Sequence, residues 1–531
     1  MPTVRDVLEA LRHENNSRLL WIDSLCIDQQ NDNEKSWQLG LMRDIFAGAQ
    51  AVIGWLGTGP SARRALHFLS QLPEAAATES HRLESHPFPW SAAAHPNDAN
   101  WCAVNDLLRN EWFHRVWMVQ EVACARSLVL RQGDEEVGWD GLVAVVKRVL
   151  QQDPYMQRCL FLGTTRAMEH GFDATVARGF KNIYTMDTIR QLFKETGRID
   201  FGLLLKSVTD FDATQTKDKV YSLYGLCGSR ERADYNQTDS FVILKALRSA
   251  ILEGDMSLLD LGGCGNGRSP AARQLELPSW CPDIFPSLWS ARGLPSDQYH
   301  AATHLERHID VTLDKDGTII AIRGTLLDTV VELGRVWNLD LESSRKLSEI
   351  LKFVLKIGLR LAESYTMSKR ASLSREGGPE KDVLWRTLTG DVGRVLANHE
   401  GLVSFEIWYQ TFQRFLNPRT SGRGRGIDGV TADDEDMTRF IFALGAAMMG
   451  RRLCRTSGGS LGVVPSGARE GDIVAVLWGS RNLAILRPVP ARFGGDSEDT
   501  GFEFVGSCYL QGAMLGELRN VSLAPTMLLL R

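Results

Sequence analysis

The sequence predicts a multidomain α/β protein: a parallel sheet near the start, a mainly helical middle, and a small antiparallel β module at the end. Three observations carry this. Residues 19–22 and 51–56 are apolar runs flanking a helically spaced stretch over residues 31–49, which is the order of a βαβ unit. Residues from about 140 to 260 are patterned mainly as helices, and residues 473–478, 483–486 and 502–509 are short apolar runs punctuated by Gly and Pro. With 531 residues the chain exceeds the ~250 to 300 residues at which a single core stops growing. The expected division is 1–145, 146–425 and 426–531.

In the first unit, Trp37, Leu41, Met42, Ile45, Phe46 and Ala49 recur at three-to-four spacing, and Asn31 with Glu34 forms a capping box ahead of them. Parallel strands place residues 23–30 at the carboxyl end of the first strand, where open α/β sheets bind ligands. Residues 78–100 read as a surface loop. Helical pattern resumes over residues 101–108 and 112–125 and gives way to a strand at 127–131. Further on, residues 317–324 read as a strand bounded by glycines, 347–361 as an amphipathic helix, and 422–436 as a linker with too little apolar surface to order itself.

A net charge of -5 and the absence of a basic face argue against nucleic acid as a partner. Apolar runs such as 441–449 are far shorter than the ~20 residues of a membrane span, and the start of the chain carries no signal-peptide core, so a cytoplasmic location is expected. The nine cysteines are scattered without disulfide or zinc spacing, and no metal set is in view. The glycine string at 262–267 lacks the Lys-Ser/Thr of a phosphate-binding loop and reads as a flexible connection.

Two stretches are more specific. Leu-Trp-Ile-Asp-Ser-Leu-Cys-Ile-Asp-Gln over residues 20–29, followed by the helix and Ala-Val-Ile-Gly-Trp-Leu-Gly over 51–57, resembles the fungal heterokaryon incompatibility (HET) domain. Trp-Phe-His-Arg-Val-Trp-Met-Val-Gln-Glu-Val-Ala over 112–123 resembles that family's second block. Lesser matches are Asp-Lys-Val-Tyr-Ser-Leu-Tyr-Gly-Leu at 218–226, Leu-Pro-Ser-Trp-Cys-Pro-Asp at 277–283, and the block at 506–517, where Gln511 and Leu515 replace a common His and Asp. The resemblance implies a TIR-like (flavodoxin-like) parallel sheet. It also implies that the family's opening strand, of the type Tyr-x-Ala-Leu-Ser-Tyr-x-Trp-Gly, is missing here, so that the domain is expected to be N-terminally truncated.

Trp117 and Glu121 are four apart in a helical stretch and share a face. The resemblance sets them beside the Trp and catalytic Glu of TIR-type NAD hydrolases, where a carboxylate stabilises the oxocarbenium character of the ribose as nicotinamide leaves. Glu121 is the candidate catalytic residue and NAD the candidate substrate; an ion pair of Glu121 with Arg115 or Arg126 is the structural alternative. Asp23, Cys26 and Asp28 line the ligand-side loop, as ribose-binding groups or as turn residues accepting backbone N–H bonds. Arg115 suits a phosphate or a bridge to Asp23 or Glu121.

The resemblance implies a recognition and signalling protein of heterokaryon incompatibility and programmed cell death. Its partners would be proteins met, or copies self-associated, through the HET domain. The alternatives are an NAD hydrolase acting through Glu121 and an inactive truncated member.

Overall fold

The computed structural model describes residues 4–13, 15–58, 64–65, 67–68, 99–152, 174–229, 231–264, 268–285, 299–305, 309–310, 318–337, 382–391, 443–445, 447–448, 450–489, 501–521 and 523–531. They form two compact units, Met1–Ile243 and Leu244–Arg531. Of the expected loop at 78–100 only residues 99 and 100 are described, and they open a helix, Ala99–Leu108, rather than a loop; the expected helix at 347–361 and linker at 422–436 lie outside the described residues.

In the first unit, helices surround a three-stranded sheet of β1 (Val52–Trp55), β2 (Leu128–Gln132) and β3 (Glu135–Gly138). β1 and β2 run parallel with Val52 opposite Leu128, and β2 and β3 form an antiparallel hairpin. Mixed α/β architecture is therefore observed, and the apolar runs behind β1 and β2 were legible as strands. Residues 19–22 are not a strand. Ile22 is extended at φ -133 and ψ 122, but no described strand pairs with the segment, and Leu19 is fully exposed. An extended stretch without a ladder partner leaves its amides to water and does not count as sheet.

The expected single helix over 31–49 is two, Asp32–Leu39 and Met42–Gly48, interrupted at Gly40 and Leu41. Asn31 caps the first by accepting from the backbone N–H groups of Asn33 and Glu34, both at 3.1 Å. The return half of the capping box is diverted, because Glu34 accepts from the Asp28 N–H. The break also corrects the apolar face: Met42 is buried, but Trp37 is 60% exposed. Trp21 packs edge-on against Phe46, with ring centroids 5.6 Å apart.

The expected helix at 112–125 begins with a 3-10 turn, Glu111–Phe113, and becomes α-helical only over Trp117–Cys124. An isolated bridge between Arg115 and Asp212 separates the two parts. The region beyond is helical as expected: Trp139–Gln152, Ala174–Thr196, Phe201–Ser207, Asp218–Cys227 and Asp239–Glu253.

The second unit is dominated by strands: β4 (Ile309–Asp310), β5 (Ile320–Trp337), β6 (Arg451–Thr456), β7 (Leu461–Pro465), β8 (Ile473–Leu477), β9 (Leu483–Val489), β10 (Gly501–Leu510) and β11 (Thr526–Leu530). Six of them close into a ring in the order β5-β6-β7-β10-β9-β8 and back to β5, every pairing antiparallel. β11 lies antiparallel on β5 and parallel on β10. The sheet is thus larger than a small terminal module.

β5 serves both sides of the ring because it bends. Register shifts at Leu326/Asp328, Val330/Glu332 and Leu333/Val336 pass it from β8 to β6, and such bulges are how a strand turns a barrel corner. The interior is apolar, with Leu453, Leu461, Val463, Val474, Val476, Ile485, Val505 and Tyr509 buried together.

The block at 277–283 is tied to the strands through Ser279, whose N–H donates to the Arg531 carbonyl and whose hydroxyl accepts from the Phe504 N–H of β10. Arg268 donates to the carbonyls of Leu277, Pro278, Ser279 and Cys281, and Asp283 accepts from the N–H and hydroxyl of Ser269. Trp280 is wholly buried and donates to the Thr318 carbonyl at 2.8 Å. Of the glycines expected to be slack, the described Gly262 and Gly263 are close-packed: a Cβ on Gly263, whose φ is +116, would stand 2.5 Å from the Val505 carbonyl of β10.

Candidate functional site

The loop after residue 22 is a four-residue helix, Asp23–Cys26, followed by a turn. Buried Ile27 anchors it, while Asp23, Cys26 and Asp28 are exposed. Asp23 accepts from the Ser24 N–H at 2.7 Å, and its carbonyl accepts from the Ile27 N–H and the Gln29 amide. Asp28 accepts from the Gln30 N–H at 3.0 Å, and the Cys26 thiol is free. These bonds satisfy turn and helix-start donors and leave carboxylate oxygen capacity toward solvent.

Opposite stands the Trp117–Cys124 helix. Trp117 and Glu121 are both half-buried on it, one turn apart. The Glu121 carboxyl is pushed up to about 8, first by burial, then by the negative charge of Asp23, with Arg115 pulling the other way. The structure therefore brings Asp23 and Arg115 each within electrostatic reach of Glu121. Among the described residues neither the Glu121 carboxyl nor the Arg115 guanidinium makes an ion pair or a side-chain hydrogen bond. A half-buried acid and a half-buried cation that feel each other without closing on each other keep their polar atoms available to a third group. Among the described residues no cluster of three or more His, Cys, Asp or Glu side chains suited to a metal occurs.

What holds this helix was not legible. Gln120 points inward, where its amide donates to the Ser222 carbonyl and accepts from the Arg43 N–H, both at 3.1 Å. Gly225 makes room for it, since a Cβ there would lie 2.5 Å from the end of the Gln120 side-chain amide. The Gln-Glu pair thus divides its labour, one side chain packing and its neighbour facing the site. At the near end the Asp212 backbone brackets the chain, donating to the His114 carbonyl and accepting from the Val116 N–H, while Asn182 donates to the Phe113 carbonyl at 2.9 Å.

The Asp-Lys-Val-Tyr block at 218–226 is supporting structure. Lys219, buried, donates to the carbonyls of Val208, Thr209 and Phe211, and burial pulls its ammonium down to about 8. Lys217 donates to the Tyr235 and Gln237 carbonyls, and Asp218 accepts from the Tyr235 hydroxyl. Tyr235 in turn lies under the Lys35 ammonium, 3.8 Å from its ring centroid, which ties the Asp32–Leu39 helix to this loop. The available signal was charge inside otherwise apolar helical spacing.

The picture is of a mixed α/β unit presenting a carboxylate-bearing helix, in a chain that also carries a closed antiparallel barrel. Residues 1–121 match the family described as Heterokaryon incompatibility protein (HET), and residues 317–524 match the Het-6 beta-barrel domain. Over an alignment covering 95% of this chain and 82% of the relative, the chain is 24% identical to Heterokaryon incompatibility protein 6, OR allele, of Neurospora crassa. No solved structure matches the chain. The chain is a fungal HET domain protein of the heterokaryon incompatibility type. Among the described residues no helix is long and apolar enough to cross a membrane.

Proposed function

We propose that this protein acts in the cytoplasm as a non-self recognition and signalling component whose HET unit, TIR-like in origin, engages protein partners or further copies and leads to programmed cell death. The observation that carries the reading is a relative whose likeness spans nearly the whole chain, since a likeness that includes both the HET region and the barrel favours a shared role over a borrowed module. The test is expression of the chain in a Neurospora crassa strain, followed by pairing with strains of known incompatibility type. Loss of viability or of heterokaryon growth in particular pairings is expected. Unchanged growth in every pairing, with the protein expressed, overturns the proposal.

A second reading is favoured by the unpaired Glu121 and Arg115 beside Asp23: hydrolysis of NAD at the nicotinamide–ribose bond. As that bond breaks, the electron pair leaves with nicotinamide and the ribose carbon becomes electron-poor; an ionised Glu121 stabilises it until water adds. Because its carboxyl titrates near 8, Glu121 is mostly protonated at neutral pH, so turnover should rise with pH toward and through about 8. Purified protein at high concentration is incubated with NAD and free nicotinamide is measured. Absence of turnover, or equal turnover in Glu121→Gln, ends this reading.

A further inference from the structure

We propose that Arg190 is a positioning residue of the candidate site: by gripping the last turn of the Trp117–Cys124 helix, it sets where the Glu121 carboxyl stands relative to Asp23 and Arg115. The inference rests on reading Glu121 as the working carboxylate of that site.

Arg190 lies in the Ala174–Thr196 helix and is 3% exposed. A single guanidinium nitrogen donates both to the Val122 carbonyl and, at 2.6 Å, to the Ala125 carbonyl. Glu121 belongs to the same turn, because its own carbonyl accepts from the Ala125 N–H at 3.2 Å. The turn that carries Glu121 is therefore closed on one side by its own backbone bond and on the other by Arg190. A helix end leaves carbonyls without intrahelical donors and carries the negative pole of the dipole, so a cation there answers both needs.

The charge is a costly way to do so. Burial pulls the guanidinium down from its ordinary value, and Asp140 and Asp187 oppose that only through space. Among the described residues no carboxylate lies in ion-pair contact with it. Burying a cation without a carboxylate partner is unfavourable, and here its bonds go to the one turn that bears Glu121. The same long helix holds the other end of the segment through Asn182 at Phe113, and through Arg178, which pairs with Asp212 at 2.8 Å. Residues 113–125 are thus suspended from one helix at two points, with Arg190 at the point next to the carboxylate.

A simple structural staple would affect stability alone, whereas a positioning role affects Glu121 itself. The experiment uses the full chain labelled with carboxyl-13C glutamate, the Glu121 resonance being the one lost in Glu121→Gln. In the wild type it should titrate near 8. In Arg190→Met the loosened turn admits water and moves the carboxyl from Asp23, and the midpoint should fall by about one unit or more. Losing the Arg190 charge would by itself raise the Glu121 midpoint, so a fall reports displacement of the carboxyl rather than lost charge. A folded Arg190→Met with an unmoved midpoint overturns the proposal. Should that variant not fold, Arg190→Gln, which keeps one donor but is too short for both carbonyls, decides by a fall of about half a unit or none. The midpoint is read without turnover, so a wild type that leaves NAD intact sinks the hydrolase reading and leaves this test standing.

Discussion

In the N-terminal unit, the interior cations Arg190, Lys217 and Lys219 and the interior amides of Gln120 and Asn182 are directed at main-chain groups of helix ends and loops. In the barrel unit the backbone is satisfied mostly by its own ladders, and the buried ions sit at seams: Asp472 with Arg487 at 2.9 Å, and Arg451 donating to the Ser507 carbonyl at 2.7 Å. The contrast has a physical origin. A closed ring of strands leaves few orphan carbonyls, so its interior can be almost wholly apolar. Short helices ending inside a protein leave up to four carbonyls each, and the sequence must supply donors for them.

Substitutions that strike each kind of interior should separate the two. The largest effect is expected from Trp280→Ala in the barrel unit, which empties a wholly buried site and removes the bond to Thr318; a loss of about 3 to 5 kcal/mol in chemical denaturation is expected. Lys219→Met tests the other style. It fills similar volume but strips the donor from two buried carbonyls and a partly buried one, for a loss of about 2 to 3 kcal/mol. If Lys219→Met proves neutral while Arg451→Met is costly, the contrast drawn above is wrong.

Gly225→Ala should cost about 1 to 3 kcal/mol, because the new methyl meets the Gln120 amide and the Arg43 side chain; the change should also move the Glu121 midpoint, as both residues ride on one helix. The pH dependence has a definite sign. Glu121 is held at about 8 in the folded protein against an ordinary 4.5, so the stability it contributes is complete below the lower value and is lost as pH rises through the upper one. Relative to wild type, the Tm of Glu121→Gln should therefore improve between pH 5 and pH 9. Smallest of all, Arg455→Gln breaks a partly exposed pair with Glu332, and its melting curve should shift by no more than about 0.2 to 1 kcal/mol.

Much of the scaffold was readable residue by residue. The runs behind β1, β2, β8, β9 and β10 announced themselves because apolar β-branched clusters bounded by Gly or Pro suit a covered sheet. The four-residue spacing of Trp117 and Glu121 survives as one helical turn. What escaped was non-local. Residues 19–22 have strand chemistry, but a strand exists only where a neighbour supplies the ladder. Ring closure depends on three bulges in β5, and nothing in the sequence around Asp328 or Glu332 reveals that two partners share one strand. Nothing local marks Arg190 and Lys219 as donors to main-chain carbonyls, because the carbonyls they serve lie 65 to 68 and 8 to 11 positions away.

One detail of the barrel bears on how such chains vary. β5 ends at Trp337 and β6 begins at Arg451; these two residues face each other across the ladder, and the Gly450 N–H donates to the Trp337 carbonyl. The long excursion between them thus departs and lands on the same doorstep. Lengthening an already long connection adds little closure entropy, but its described helix, Asp382–Thr389, buries Leu384, Trp385 and Leu388 in the barrel's own core, so those positions are bound to the frame they connect.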